Sequence, residues 1–181
     1  MSSLTMDPRI SVISTIVEIP IITGALYAFD IDDTLLELVR VWNEEQYLLA
    51  SSVDRRKICK VWQLHDPRIP AYLEELSKVA SLIYITRRLG DPETRNLTIQ
   101  QFKQFSIPLE PIYFADDEKS LELLQHINTK GGRDAFIGIH FADNRDDECR
   151  DVLKNVPGVK VYRVDPKLTT KLKARERRKT Q

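Results

Sequence analysis

The 181 residues suit one domain with at most a small insertion, and 42% hydrophobic and 30% charged residues describe an ordinary globular chain with a sizeable core. Net charge is zero, but lysines and arginines gather at the end: 167–181 hold seven basic residues and one acid. Two cysteines, Cys59 and Cys149, make neither a disulfide framework nor a zinc site, and neither is followed by arginine six positions on, as a thiol phosphatase loop requires.

Along the chain, 10–29 ("ISVISTIVEIPIITGALYAF") holds the longest apolar stretch. Glu18 and Pro20 interrupt it and β-branched residues fill it, so it reads as a strand-rich lead-in to the core, neither a spanning helix nor a cleavable signal. The expected location is the cytoplasm where the chain is made, with export by a signal-less route left open. "ALYAFDI" (25–31) is a first strand. Residues 36–68 follow, mostly helical in pattern and too long for a simple loop, which predicts a small helical insertion over the strand end. Its Trp42, Tyr47 and Trp62 read as its own core, or as a ring lining a substrate mouth. "PAYLEELSKVA" has Tyr72, Leu73, Leu76 and Val79 at helical spacing and leads into a second strand, "SLIYIT" (81–86). A helix opened by Pro92 precedes the third strand, "EPIYFA" (110–115). "KSLELLQHI" is a helix before the fourth strand, "AFIGIHFA" (135–142), and "DDECRDVLKNV" a helix before the fifth, "VKVYRV" (159–164). Alternation of this kind predicts an α/β fold, a Rossmann-like parallel sheet flanked by helices. The expected organisation is a core of 1–35 and 69–166, an insertion at 36–68 and a basic tail at 167–181.

In parallel sheets, ligands bind beyond the carboxyl ends of the strands. The residues there are Asp30, Asp32 and Thr34 after strand one, Thr86, Arg87 and Arg88 after strand two, Lys119 at the start of the next helix but one, and Asp143, Asn144, Asp146 and Asp147 after strand four. Oxygen donors without a His or Cys cluster favour a hard cation such as Mg²⁺. A divalent ion also explains why acids are crowded in "FDIDDTLL": without it they raise one another's pKa and part protonates. Arg87 and Arg88 read equally as surface charge or as contacts to an anionic substrate.

These stretches resemble the haloacid dehalogenase superfamily of phosphohydrolases, and within it the acid-phosphatase-like branch. "FDIDDTLL" looks like its first motif, Asp-x-Asp-x-Thr after an apolar strand; "IYITRR" resembles the second and "FADNRDDE" the fourth. The likeness spans about 25–165. It implies a Mg²⁺-dependent phosphatase with a small helical cap over the core. Asp30 would be the nucleophile that becomes an aspartyl-phosphate, and Asp32 the acid for the leaving oxygen and then the base for water. Thr34 would support the Asp32 side chain, and Thr86 would hydrogen-bond the phosphoryl oxygens. Asp30, the Asp32 carbonyl and Asp143 would hold Mg²⁺, with Asp147 assisting from behind. Lys119 fits the lysine motif better than Lys103 or Lys130. "FADDEK" (114–119) imitates a fourth motif, but reading it so would leave only Lys103 as the lysine, so Asp116 and Asp117 are expected in a solvated or substrate-facing loop.

The implied substrate is a phosphate monoester, small or carried on a protein; phosphotyrosine, a nucleotide and a sugar phosphate are all compatible, with a lean towards a bulky one. The tail could touch an anionic membrane or a phosphate-bearing partner. The competing readings are a catalytically silent module that keeps the fold for binding, and a nucleotide or nucleic-acid-end phosphatase. Nucleic acid has little support, since no aromatic residues interleave with the basic ones.

Overall fold

A computed structural model describes residues 7–38, 62–165 and 168. Six strands form one sheet: β1 (Ile10–Ile13), β2 (Leu26–Phe29), β5 (Ser81–Thr86), β6 (Ile112–Phe114), β7 (Ile139–Asp143) and β8 (Val159–Val164). Their order across the sheet is β1-β8-β7-β2-β5-β6, and every neighbouring pair is parallel. From β2 the chain builds outward through β5 and β6, then returns to lay β7 on the other side of β2. The order therefore reverses at β2, and the carboxyl ends of β5, β2 and β7 form the switch-point crevice where open α/β sheets bind ligands.

Side-chain alternation sorts the helices onto two faces. Tyr27, Phe29, Leu82 and Tyr84 point to the layer holding α1 (Ile69–Val79) and α2 (Pro92–Gln104). Leu26, Ala28, Ile83, Ile85, Ile139 and Phe141 point to the layer holding α3 (Lys119–Thr129) and α4 (Asp146–Asn155). β2 is buried along its whole length, as the centre of a doubly covered sheet must be. α1 buries Ile69, Tyr72, Leu73 and Leu76, a stripe of period 3.6. α2 starts on Pro92 with the Asp91 side chain accepting from the Thr94 N–H at 3.0 Å.

The predicted α/β class and parallel sheet stand. The insertion differs in its ends: 36–38 and 62–64 are not helical but form β3 (Leu36–Leu38) and β4 (Trp62–Leu64), a two-stranded antiparallel ribbon. Leu36 and Leu38 pair with Leu64 and Trp62, so the chain leaves and re-enters the core side by side. Residues 39–61, which carry most of the predicted helical cap, and the basic tail apart from Leu168 lie outside the described residues. Among the described residues no helix is long and apolar enough to cross a membrane.

His140 on β7 lies in the core between the rings of Tyr27 and Tyr162, with centroids 4.6 and 5.8 Å away. Its Nδ1 is 3.1 Å from the Tyr162 hydroxyl. Burial, helped by the charge of Lys160, pushes its pKa down to about 4. The unfolded imidazole titrates near ~6.5, so folding favours the neutral ring. Its contribution to stability is complete above that value and is lost as pH falls towards 4. His140→Phe keeps the ring stack and removes the titration. The expected result is a parent that loses about 1–2 kcal/mol more than the variant between pH 7 and pH 4.5 in urea titrations. Parallel pH dependences would refute it.

Candidate active site

The site is built at the end of β2. The Asp30 N–H donates to Ala142 O at 3.0 Å, which ties the residue to β7 one position before Asp143. Beyond Asp30 the chain turns sharply: Asp33 takes a left-handed conformation with φ 58°, one that Asp tolerates better than most residues. The Leu35 and Leu36 N–H groups both donate back to Ile31 O. That turn brings Thr34 over Asp30, and its Oγ1 donates to Asp30 Oδ2 at 3.1 Å. Thr34 is thus directed to Asp30 and not to Asp32 as the family resemblance implies; a one-turn return places it on the residue four back.

Lys119 is the first residue of α3, and it extends the buried stripe of Leu123 and Ile127 by one helical turn. It is therefore driven inward, to 1% exposure. Its Nζ donates to Asp30 Oδ1 at 2.5 Å and to Asp143 Oδ2 at 2.7 Å. Asp143 closes β7 and is fully buried; its Oδ1 accepts from the Arg145 N–H at 2.8 Å. The competing lysines, Lys103 and Lys130, are exposed, as are Asp116 and Asp117.

Two buried carboxylates thus share one ammonium, one negative charge in excess. Burial first, and then the charge of Asp143, pushes the Asp30 carboxyl up to about 7. Asp143 is raised as well, again chiefly by burial, against the pull of Lys119. For Lys119, burial works against the charge, but Asp30 and Asp143 outweigh it and hold the ammonium above the ordinary lysine value.

The second acid, Asp32, stays half-open at the rim with both oxygens held by Arg88. Arg88 Nη2 donates to Oδ1 at 2.6 Å, and Nε reaches Oδ1 and Oδ2 at 3.1 and 3.0 Å. Thr86, which ends β5, is fully buried, and its Oγ1 accepts from the Arg88 N–H at 3.2 Å. Asp147 is not brought to this cluster: its carboxylate faces outward from the first turn of α4, where Arg145 holds it at 2.5 and 3.0 Å. The acid of that helix that turns inward is Glu148, paired with Arg87 at 2.8 Å.

Whether this cluster suits a divalent cation can be judged from its donors. Among the described residues no three His, Cys, Asp or Glu side chains gather as a ready-made cage. The uncompensated charge on Asp30 and Asp143, with oxygen donors alone, fits a hard ion that binds one or two carboxylates and keeps its waters and a substrate phosphate. A pocket of about 290 Å³ opens beside Asp32, lined by Trp62, Arg88, Leu89, Thr94, Leu97 and Gln101.

Arg88 is what the sequence left undecided. Its signal was position, since an arginine two residues past the strand ending in Thr86 returns to the same crevice as the acids after β2. No family model, curated protein or solved structure matches the chain.

Proposed function

We propose that the chain is a Mg²⁺-dependent phosphomonoesterase of the haloacid dehalogenase type, with Asp30 as nucleophile. The observation that carries this reading is the meeting of Asp30, Lys119, Asp143 and Thr34 at the sheet's switch point, with Asp32 two residues beyond the nucleophile. A structural salt bridge has no need of a second carboxylate on one lysine, whereas phosphoryl transfer of this kind needs one oxygen nucleophile and a further acid to hold the cation that would offset the phosphoryl charge.

In this mechanism Asp32 enters the step protonated, with one of its oxygens released from Arg88; an Asp30 oxygen attacks phosphorus while the bond to the leaving oxygen breaks, and that oxygen takes the Asp32 proton. Asp32 then removes a proton from water, whose oxygen attacks the aspartyl-phosphate and releases inorganic phosphate with Asp30 restored. The Lys119 ammonium offsets charge on Asp30 and the phosphoryl group, and the Thr86 hydroxyl donates to a phosphoryl oxygen. Mg²⁺, held by Asp30 and Asp143 with the Asp32 carbonyl, would supply further neutralisation of the phosphoryl oxygens. The pocket beside Asp32 is the natural place for the leaving group. Its volume and the Trp62 ring suit a flat group such as the ring of phosphotyrosine or of a nucleotide.

One observation favours the alternative of a catalytically silent binding module. Every carboxylate oxygen of Asp30, Asp32 and Asp143 already has a protein donor. The two readings separate with para-nitrophenyl phosphate. The expected result is turnover that chelator abolishes and added Mg²⁺ restores. A folded protein that turns over neither this ester nor a panel of phosphopeptides and nucleotides would establish the silent module instead.

A further inference from the structure

Arg88 joins three separate pieces of the chain. Nε and Nη2 hold both oxygens of Asp32, on the loop after β2. Nη1 donates to Thr98 Oγ1 at 2.9 Å and to Gln101 Oε1 at 2.6 Å, both on α2. The guanidinium carbon also lies 5.0 Å from the ring centroid of Trp62, on β4. Thr98 and Gln101 are themselves buried, and Thr98 Oγ1 donates onward to Thr94 O at 2.8 Å. Polar side chains on the inner face of an amphipathic helix are costly unless paired, and here both are aimed at one guanidinium. Arginine alone offers this planar fork; a lysine could reach Asp32 but not hold it from two sides while anchored on α2.

We propose that Arg88 is the positioning residue of the general acid–base. Anchored on α2 and packed on Trp62, it fixes the Asp32 carboxylate at the rim of the leaving-group pocket. The inference rests on the phosphatase reading and adds a residue to it. Arg88 touches no atom of the substrate in this role and acts through Asp32; it sets where Asp32 stands when a proton passes between Asp32 and the leaving oxygen, and later between water and Asp32.

The test uses two esters that differ in how much they need a proton. A nitrophenolate leaves well as an anion, whereas an alkoxide from a simple alkyl phosphate needs protonation. Up to formation of the aspartyl-phosphate, kcat/KM reports the first step alone. For Arg88→Met the expected result is a fall in kcat/KM of about 10²-fold or more for the alkyl ester, with the nitrophenyl ester changed by only a few-fold. Water activation also uses Asp32, so kcat for the nitrophenyl ester drops and a burst of nitrophenolate, one per enzyme, precedes the slowed steady state. Arg88→Lys recovers part of the alkyl activity.

Should Arg88→Met fail to fold, Gln101→Met removes one anchor and is expected to give the same leaving-group dependence on a smaller scale. Equal losses of kcat/KM for the two esters, or no burst, would overturn the proposal and make Arg88 a structural tie or a phosphate contact. A parent protein that hydrolyses neither ester, nor any member of the phosphopeptide and nucleotide panel, overturns the phosphatase reading itself and this role with it.

Discussion

Lys119→Met is expected to lower stability by about 3–5 kcal/mol at pH 8 in the presence of chelator. Methionine keeps much of the length and packing of the stem and removes only the charged end. What remains is Asp30 facing Asp143, both buried, with no cation between them. In a domain of this size each kcal/mol moves Tm by roughly 2–4 °C, so the expected fall is on the order of 10 °C. Part of the cost is relieved when one of the two carboxyls takes a proton. A folded-state pKa raised further above the unfolded value makes stability rise as pH falls, so the deficit at pH 5.5 should be smaller than at pH 8. Added Mg²⁺ should raise the Tm of the variant more than that of the parent, since the ion then supplies the missing charge. Turnover is lost in either case. Melting within a degree or two of the parent at pH 8 would mean that Lys119 does not bridge the two carboxylates in solution.

The same buried pairings explain which parts of the molecule were legible in the sequence. "SLIYIT" is β5 to the residue, because a strand buried on both faces is a bare apolar run bounded by polar residues. "AFIGIHFA" overreached: a 3-10 turn occupies Arg133–Ala135, Ile137 is exposed, and β7 begins only at Ile139. The pairing of β1 with β8, at the far edge from β6, joins segments some 150 residues apart and leaves no local trace. At the site, Asp30, Thr86, Lys119 and Asp143 could be placed together because each stands at a strand end or helix start on one edge of the sheet. Side-chain direction could not be read so easily. Thr34 depended on a tight turn around Asp33, and Asp147 on which face of the first turn of α4 points inward. Arg88 meets Asp32 across 56 residues, and only the folded sheet brings the two loops together.

Asp30→Asn is expected to abolish turnover, by at least about 10⁴-fold, and to leave the protein as stable as the parent or more so above neutral pH. The first half follows from removing the nucleophile. The second follows from charge. In the variant Lys119 pairs with Asp143 one to one, the amide oxygen accepts from Lys119, and the amide N–H₂ can donate to Thr34. The Asp30 carboxyl is raised to about 7 in the fold, chiefly by burial, against about 3.9 in the unfolded chain. Between those values the folded state binds the extra proton, so the parent loses stability as pH rises from about 4 to 7, and the variant is spared that loss. The expected gain for Asp30→Asn in chelator is about 1–3 kcal/mol at pH 8, shrinking to nothing near pH 4. Melting curves across pH for the two proteins, alongside their turnover, measure both halves. A variant destabilised equally at every pH would make Asp30 a structural partner of Lys119 and leave the nucleophile unassigned. A variant that is stabilised and silent would place Asp30 among residues kept for chemistry at a cost to the fold, the pattern expected where a carboxylate must stay charged in a buried site.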